Sequence, residues 1–207
     1  DELFSRESLK NAEKHTANTL ATSLMISNAK GGWDITPLAI EAQFAPVFGS
    51  LIGDYDADGR DDILLIGNDY SAEVINGRYD AFDGLMLKGD GSGNFKPVAS
   101  DFFVGGDGKS LVEMLSASNE RIILASQNNG PVIALRPMVK GKAKIIRVKP
   151  NDAYAVFTLG DGKKIKKELY YGAGYLSGSG RHLCIPTDAE KVELVDFKGA
   201  SRTIVWE

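Results

Sequence analysis

Nine residues, Asp54-Tyr55-Asp56-Ala57-Asp58-Gly59-Arg60-Asp61-Asp62, run without a spacer into Ile63-Leu64-Leu65-Ile66, and no other stretch constrains the fold as much. The apolar run reads as a buried strand. The loop before it has to stay within reach of water or a cation, because unpaired carboxylates are too costly to bury. Hard cations such as calcium take roughly six to eight oxygens, and a loop with carboxylates at positions one, three and five and glycine at six can wrap one. Asp54, Asp56 and Asp58 hold those places, Gly59 permits the reversal, the carbonyl of Arg60 falls at position seven, and Asp62 at position nine closes the shell. An EF-hand needs Glu at position twelve, where this chain has Leu65. Asp and Gly also gather in ordinary turns. Four aspartates at this spacing repel one another without a cation, however, so the metal expected is calcium.

The rest of the chain is β in texture. In 207 residues, 43% hydrophobic and 25% charged, there is enough apolar material for a real core in one or two domains. Helical spacing and N-cap candidates occur only over 5–14, where Ser5 or Ser8 precedes Leu9 and Ala12. Strand-like runs follow at 20–26, 46–52, 63–66, 84–87, 111–115, 121–125 and 132–135, separated by Gly-rich turns such as Asn28–Gly32 and Gly89–Asn94. Near Pro137–Lys144 the loops turn from acidic to basic. Further strands are expected at 144–148, 154–159, 164–171, 182–185, 192–197 and 203–206. The expected architecture is all-β, a sandwich, barrel or propeller: a short N-terminal helix and sheet over 1–140, then a small β domain over 141–207.

Several function classes recede on composition and spacing. A net charge of −4 and a pI near 5.3 argue against a sequence-independent grip on nucleic acid. Lys163, Lys164, Lys166 and Lys167 read as one solvated hairpin arm. The single cysteine, Cys184, forbids an internal disulfide. It lies in an apolar strand beside His182, and the expectation is a buried inert thiol rather than a Cys/His dyad. Gly105–Ser110 resembles the end of a phosphate-binding loop, but Phe103 stands where that pattern needs glycine. Asp80, Asp83 and Asp90 read as turn formers. No signal peptide or membrane-spanning run is visible at residue 1, where the chain opens on charged Asp1-Glu2, as a mature or trimmed product would.

Trp33 to Gly67, with the turn Asn28–Gly32, the stretch Pro46-Val47-Phe48-Gly49 and the Asp54–Asp62 loop, resembles the FG-GAP or VCBS repeat, a β-propeller blade unit shared with integrin α-subunits. Gly160-Asp161-Gly162, Gly172–Ser177 with Ser179 and Arg181, and Phe197-Lys198-Gly199 resemble the ASPIC/UnbV domain that follows such repeats in bacterial surface proteins. Gly178 and Gly180 depart from the bulkier residues expected there. A blade takes roughly 40–50 residues and a ring at least about four blades, so the resemblance implies the last blade or two of a longer, secreted or cell-surface protein. It implies a calcium-stabilised, non-enzymatic module presenting a surface to a protein or glycan partner, with self-association through open blade faces. The alternative expectation is a fragment of a propeller-type hydrolase acting on polysaccharide.

Overall fold

The computed structural model describes residues 4–137, 144–172, 174 and 177–204. It is all-β apart from one helical turn, α1 (Arg6–Leu9), and a 3-10 turn over Ile40–Gln43. Ser5 caps α1 by accepting from the Ser8 N–H at 3.1 Å, as expected, but the helix ends well short of residue 14. Leu9 is exposed, so its burial does not carry the helix beyond a marginal single turn.

Strands β1 (Ser23–Ser27) and β2 (Trp33–Pro37) form a hairpin. Its turn is closed by the Asn28 N–H on the Gly32 carbonyl at 2.9 Å, and by the Asn28 side-chain oxygen accepting from Lys30 and Gly32. The Gln43 amide fastens the hairpin to the 3-10 turn by accepting from the Thr22 N–H and donating to the Thr22 carbonyl.

The central sheet is an antiparallel meander of β3 (Val47–Gly53), β4 (Asp62–Gly67), β5 (Leu85–Gly89) and β6 (Phe95–Val98). Every residue of β4 is buried, because alternate side chains enter two different cores. Ile63 and Leu65 join Ala42, Phe82 and Leu87 beneath the hairpin. Leu64 and Ile66 join Tyr55, Val104, Leu111 and Ile123 on the other face. That second core is roofed by β7 (Gly108–Leu115), β8 (Arg121–Gln127) and β9 (Ile133–Leu135), with β7 lying against β3 and β4. The approach requires Gly49, since a Cβ there would stand 2.8 Å from Ile66 Cγ1 and 2.9 Å from the Leu111 nitrogen. Asn68 locks the end of β4. Its buried amide donates to the carbonyls of Phe82 and Gly106, and its oxygen accepts from the Phe82 N–H.

The C-terminal half has its own core. A two-stranded ladder of β10 (Lys144–Arg147) with β13 (His182–Ile185) covers a four-stranded sheet ordered β12 (Lys164–Glu168), β11 (Asp152–Leu159), β14 (Ala189–Asp196) and β15 (Ser201–Ile204). Phe157, Val192 and Leu194 are fully buried there, and Leu183 and Ile185 reach down from β13 to meet them. At the sheet's end a buried Asp152 pairs with Arg202 and accepts from the Lys149 N–H. The expected boundary at 140/141 lies within 138–143, outside the described residues. Among the described residues no helix is long and apolar enough to cross a membrane.

Candidate metal centre

The acidic loop joins β3 to β4 and is wound by its own carboxylates. Asp54 accepts from the Ala57 and Gly59 N–H groups at 2.7 and 3.0 Å, Asp56 from Asp58 at 3.1 Å, and Asp58 from Arg60 at 2.9 Å. Such short-range bonds are what Asp contributes to a turn. They also aim the carboxylates inward. Ala57 and Gly59 both adopt positive φ, 65° and 83°, which reverses the chain around a common centre. One carboxylate oxygen from each of Asp54, Asp56 and Asp58 lies within 4.8 Å of the others.

Lys88, projecting from β5, places its ammonium against this group. It bonds Asp56 Oδ2 and lies 2.9 Å from Asp58 Oδ2. The mutual repulsion expected of the aspartates therefore has an internal answer as well as an external one. The Lys88 ammonium is pushed far above its ordinary pKa by Asp56 and then Asp58. For Asp58, partial burial raises the carboxyl, but Lys88 and the Arg60 N–H outweigh it and leave it lowered.

Asp62 stands apart from the three. It is fully buried at the start of β4, with Oδ2 accepting from the Tyr55 N–H and Oδ1 from the Gly89 N–H, each at 3.0 Å. Burial pushes its carboxyl above the usual range, against the pull of those two donors. Here Asp62 closes the loop's ends upon each other and ties them to β5. Arg60 lies on the returning limb, its side chain running beside Gly91. Asp61 turns away from the cluster to Lys167 of β12, at 2.7 Å.

A second polar cluster lies where the two halves meet. Arg121 donates through Nη1 to the Asp54 carbonyl at 2.7 Å and stacks over the Tyr55 ring at 4.8 Å. Its Nε and Nη2 grip Glu113 Oε2 at 3.0 and 2.6 Å. Glu113 Oε1 in turn lies 2.7 Å from His182 Nε2, across the junction on β13. Burial raises the Glu113 carboxyl, yet His182 and Arg121 prevail and hold it below its ordinary range. The Gly180 N–H donates to the Glu113 carbonyl at 2.6 Å, while the Glu113 N–H donates to Ser179 Oγ at 3.0 Å. These groups line one wall of a cleft of about 600 Å³ running from the acidic loop to β13.

The sequence marks the loop but not these partners. Lys88 is a lone lysine on a short strand. Glu113 and Arg121 are ordinary alternating positions of a hairpin, brought to His182 only by the docking of the halves. Comparison of the chain with protein-family models and with curated proteins gives no match.

The donor set fits a hard cation. Three carboxylates converge, and two of them already hold a positive group. Calcium would be held by Asp54, Asp56 and Asp58, with Lys88 displaced toward solvent, and would replace one ammonium charge by two.

Proposed function

We propose that this chain is a calcium-stabilised β module of the FG-GAP/VCBS kind, followed by an ASPIC/UnbV-like unit, that works outside the cell as a binding scaffold for a protein or glycan. The observation that carries the reading is the convergence of Asp54, Asp56 and Asp58 on one centre. Asp62, with the carbonyl of Arg60, would complete the shell only after a local shift, because its carboxylate is fully buried between the Tyr55 and Gly89 N–H groups, apart from the oxygens of the other three. Calcium bound only by the folded loop adds RT ln(1 + [Ca]/Kd), about 2.7 kcal/mol at a hundredfold excess over Kd.

A surface for the partner is supplied by the outer face of the β1–β2 hairpin. Met25 stands opposite Ile35 and Ser27 opposite Trp33, and all three large apolar side chains on this face are exposed while Leu24 packs inward. An exposed Trp beside apolar neighbours suits a sugar ring or an apolar protein side chain.

The hydrolase alternative is less well supported. A glycosidic general acid needs a raised pKa. Glu113, the most buried carboxylate of the cleft, is lowered and held by Arg121 and His182, while Asp61 and Glu168 are paired with Lys167 and Lys166.

Thermal melting with calcium and with chelator tests the proposal. A rise in Tm that saturates with calcium, and is lost in the Asp56→Asn/Asp58→Asn variant, supports it. A Tm indifferent to both overturns it.

A further inference from the structure

His182 and Cys184 alternate with Leu183 and Ile185 along β13, so their side chains leave the C-terminal core and face the N-terminal half. There they meet Glu113 of β7. One ligating atom from each of Glu113, His182 and Cys184 lies within 4.8 Å of the other two, so an oxygen, a nitrogen and a sulfur share one small volume. The His182 side chain is only 5% exposed. Its Nε2 is taken by Glu113, while Nδ1 is buried without a hydrogen-bond partner. A buried ring nitrogen left unpaired is costly. If Glu113 holds the Nε2 proton, the Nδ1 lone pair is free to ligate, which is the arrangement of a carboxylate orienting a metal-bound histidine.

We propose that His182 and Cys184, with Glu113 orienting the imidazole, form a second metal site, for a borderline-soft divalent cation such as zinc, completed when the two halves dock. Thiolate and imidazole select such ions over calcium or magnesium. Cys184 binds as the thiolate, and its proton passes to solvent. Zinc–sulfur and zinc–nitrogen bonds run about 2.3 and 2.0–2.1 Å, so donors within 4.8 Å need only a modest contraction. Two protein ligands leave the remaining coordination positions open toward the cleft. Arg121 remains on Glu113 Oε2, where it offsets the carboxylate's charge and positions it. Such an ion would fix the imidazole that Glu113 contacts across the junction of β13 and β7, a role separate from that proposed for the acidic loop.

Cobalt(II) is the probe, added to the full reduced chain. One equivalent should bring up a thiolate-to-cobalt charge-transfer band that zinc abolishes. The band should persist in the Asp56→Asn/Asp58→Asn variant and be lost in Cys184→Ser. Glu113→Gln should weaken zinc binding by roughly 10–100-fold, as loss of an orienting carboxylate does. X-ray absorption of the zinc-loaded unmutated chain is independent of whether any variant folds. Sulfur in the first coordination sphere supports the site. A sphere of oxygen and nitrogen alone, or a cobalt complex without the band, overturns it.

Discussion

Lys167 donates to Asp61 Oδ1 at 2.7 Å, which ties the neighbour of the loop's last aspartate to strand β12 in the other half. Successive residues therefore have opposite duties, Asp62 inward on the loop's own N–H groups and Asp61 outward across the junction. Asp61→Ala should leave calcium affinity within about twofold and cost under about 1 kcal/mol, because both partners are partly exposed. A double-mutant cycle with Lys167→Ala measures the coupling. A loss of calcium affinity matching that of Asp58→Ala would place Asp61 in the metal's shell instead.

Lys88 competes with any metal for Asp56 and Asp58. Lys88→Met should tighten calcium binding roughly two- to fivefold, the scale of losing exposed ion pairs, and lower the Tm of the calcium-free protein. Isothermal titration and melting read the two effects separately. Unchanged affinity would mean that the ammonium and the ion occupy different space.

Among the described carboxyls held below their ordinary range, Asp152 and Glu113 are the ones tied to an arginine guanidinium. The hydrogen bond from Arg202 is the chief reason the Asp152 carboxyl lies below its ordinary value, with burial opposing. For Glu113, burial is outweighed by His182 and Arg121. A carboxyl depressed in the fold contributes stability fully present above its unfolded pKa of roughly 4 and lost as pH falls through the folded value. Stability should therefore be flat near neutrality and fall below about pH 4. Asp152→Asn should reduce that acid slope and cost roughly 1.5–3 kcal/mol at pH 7, since it removes the charge from the hydrogen bonds to a partly exposed Arg202. Urea unfolding at stepped pH measures both.

Where the chain's own periodicity decided the outcome, the fold was legible. The run Ile63–Ile66 is a strand buried on both faces, and the turns at Asn28–Gly32 and Gly160–Gly162 join antiparallel neighbours. Strand β6 was hidden because Pro97 interrupts it, a residue an edge strand tolerates. The hairpin strand β2 alternates Trp33, Asp34, Ile35 and Thr36, but it is short, ends on Pro37 and has every residue exposed, so no buried face marks it. Spacing alone brought Asp54, Asp56 and Asp58 together, but it could not show that Asp62 spends its oxygens on Tyr55 and Gly89. Nor could it show Lys88, Glu113 or Arg121 near the site, because contacts between distant strands leave no local pattern.

The C-terminal core is built wholly from residues beyond 144, with Phe157, Leu183, Val192 and Leu194 packing among themselves. Residues 145–207 expressed alone should therefore fold and give a dispersed β-type NMR spectrum that calcium leaves unchanged. At some 60 residues the unit sits near the lower limit of independent stability, and a modest Tm is expected. The outer face of β13 would lose Glu113 and Arg121, so His182 and Cys184 would become solvent-facing. Burial, the main reason the Cys184 thiol is raised in the whole chain, would then be relieved. Cys184 should react with a thiol reagent at least about tenfold faster in the isolated unit, since reactivity follows thiolate fraction and access. A fragment that stays unfolded until residues 1–144 are supplied in trans would show instead that the two halves make one cooperative core.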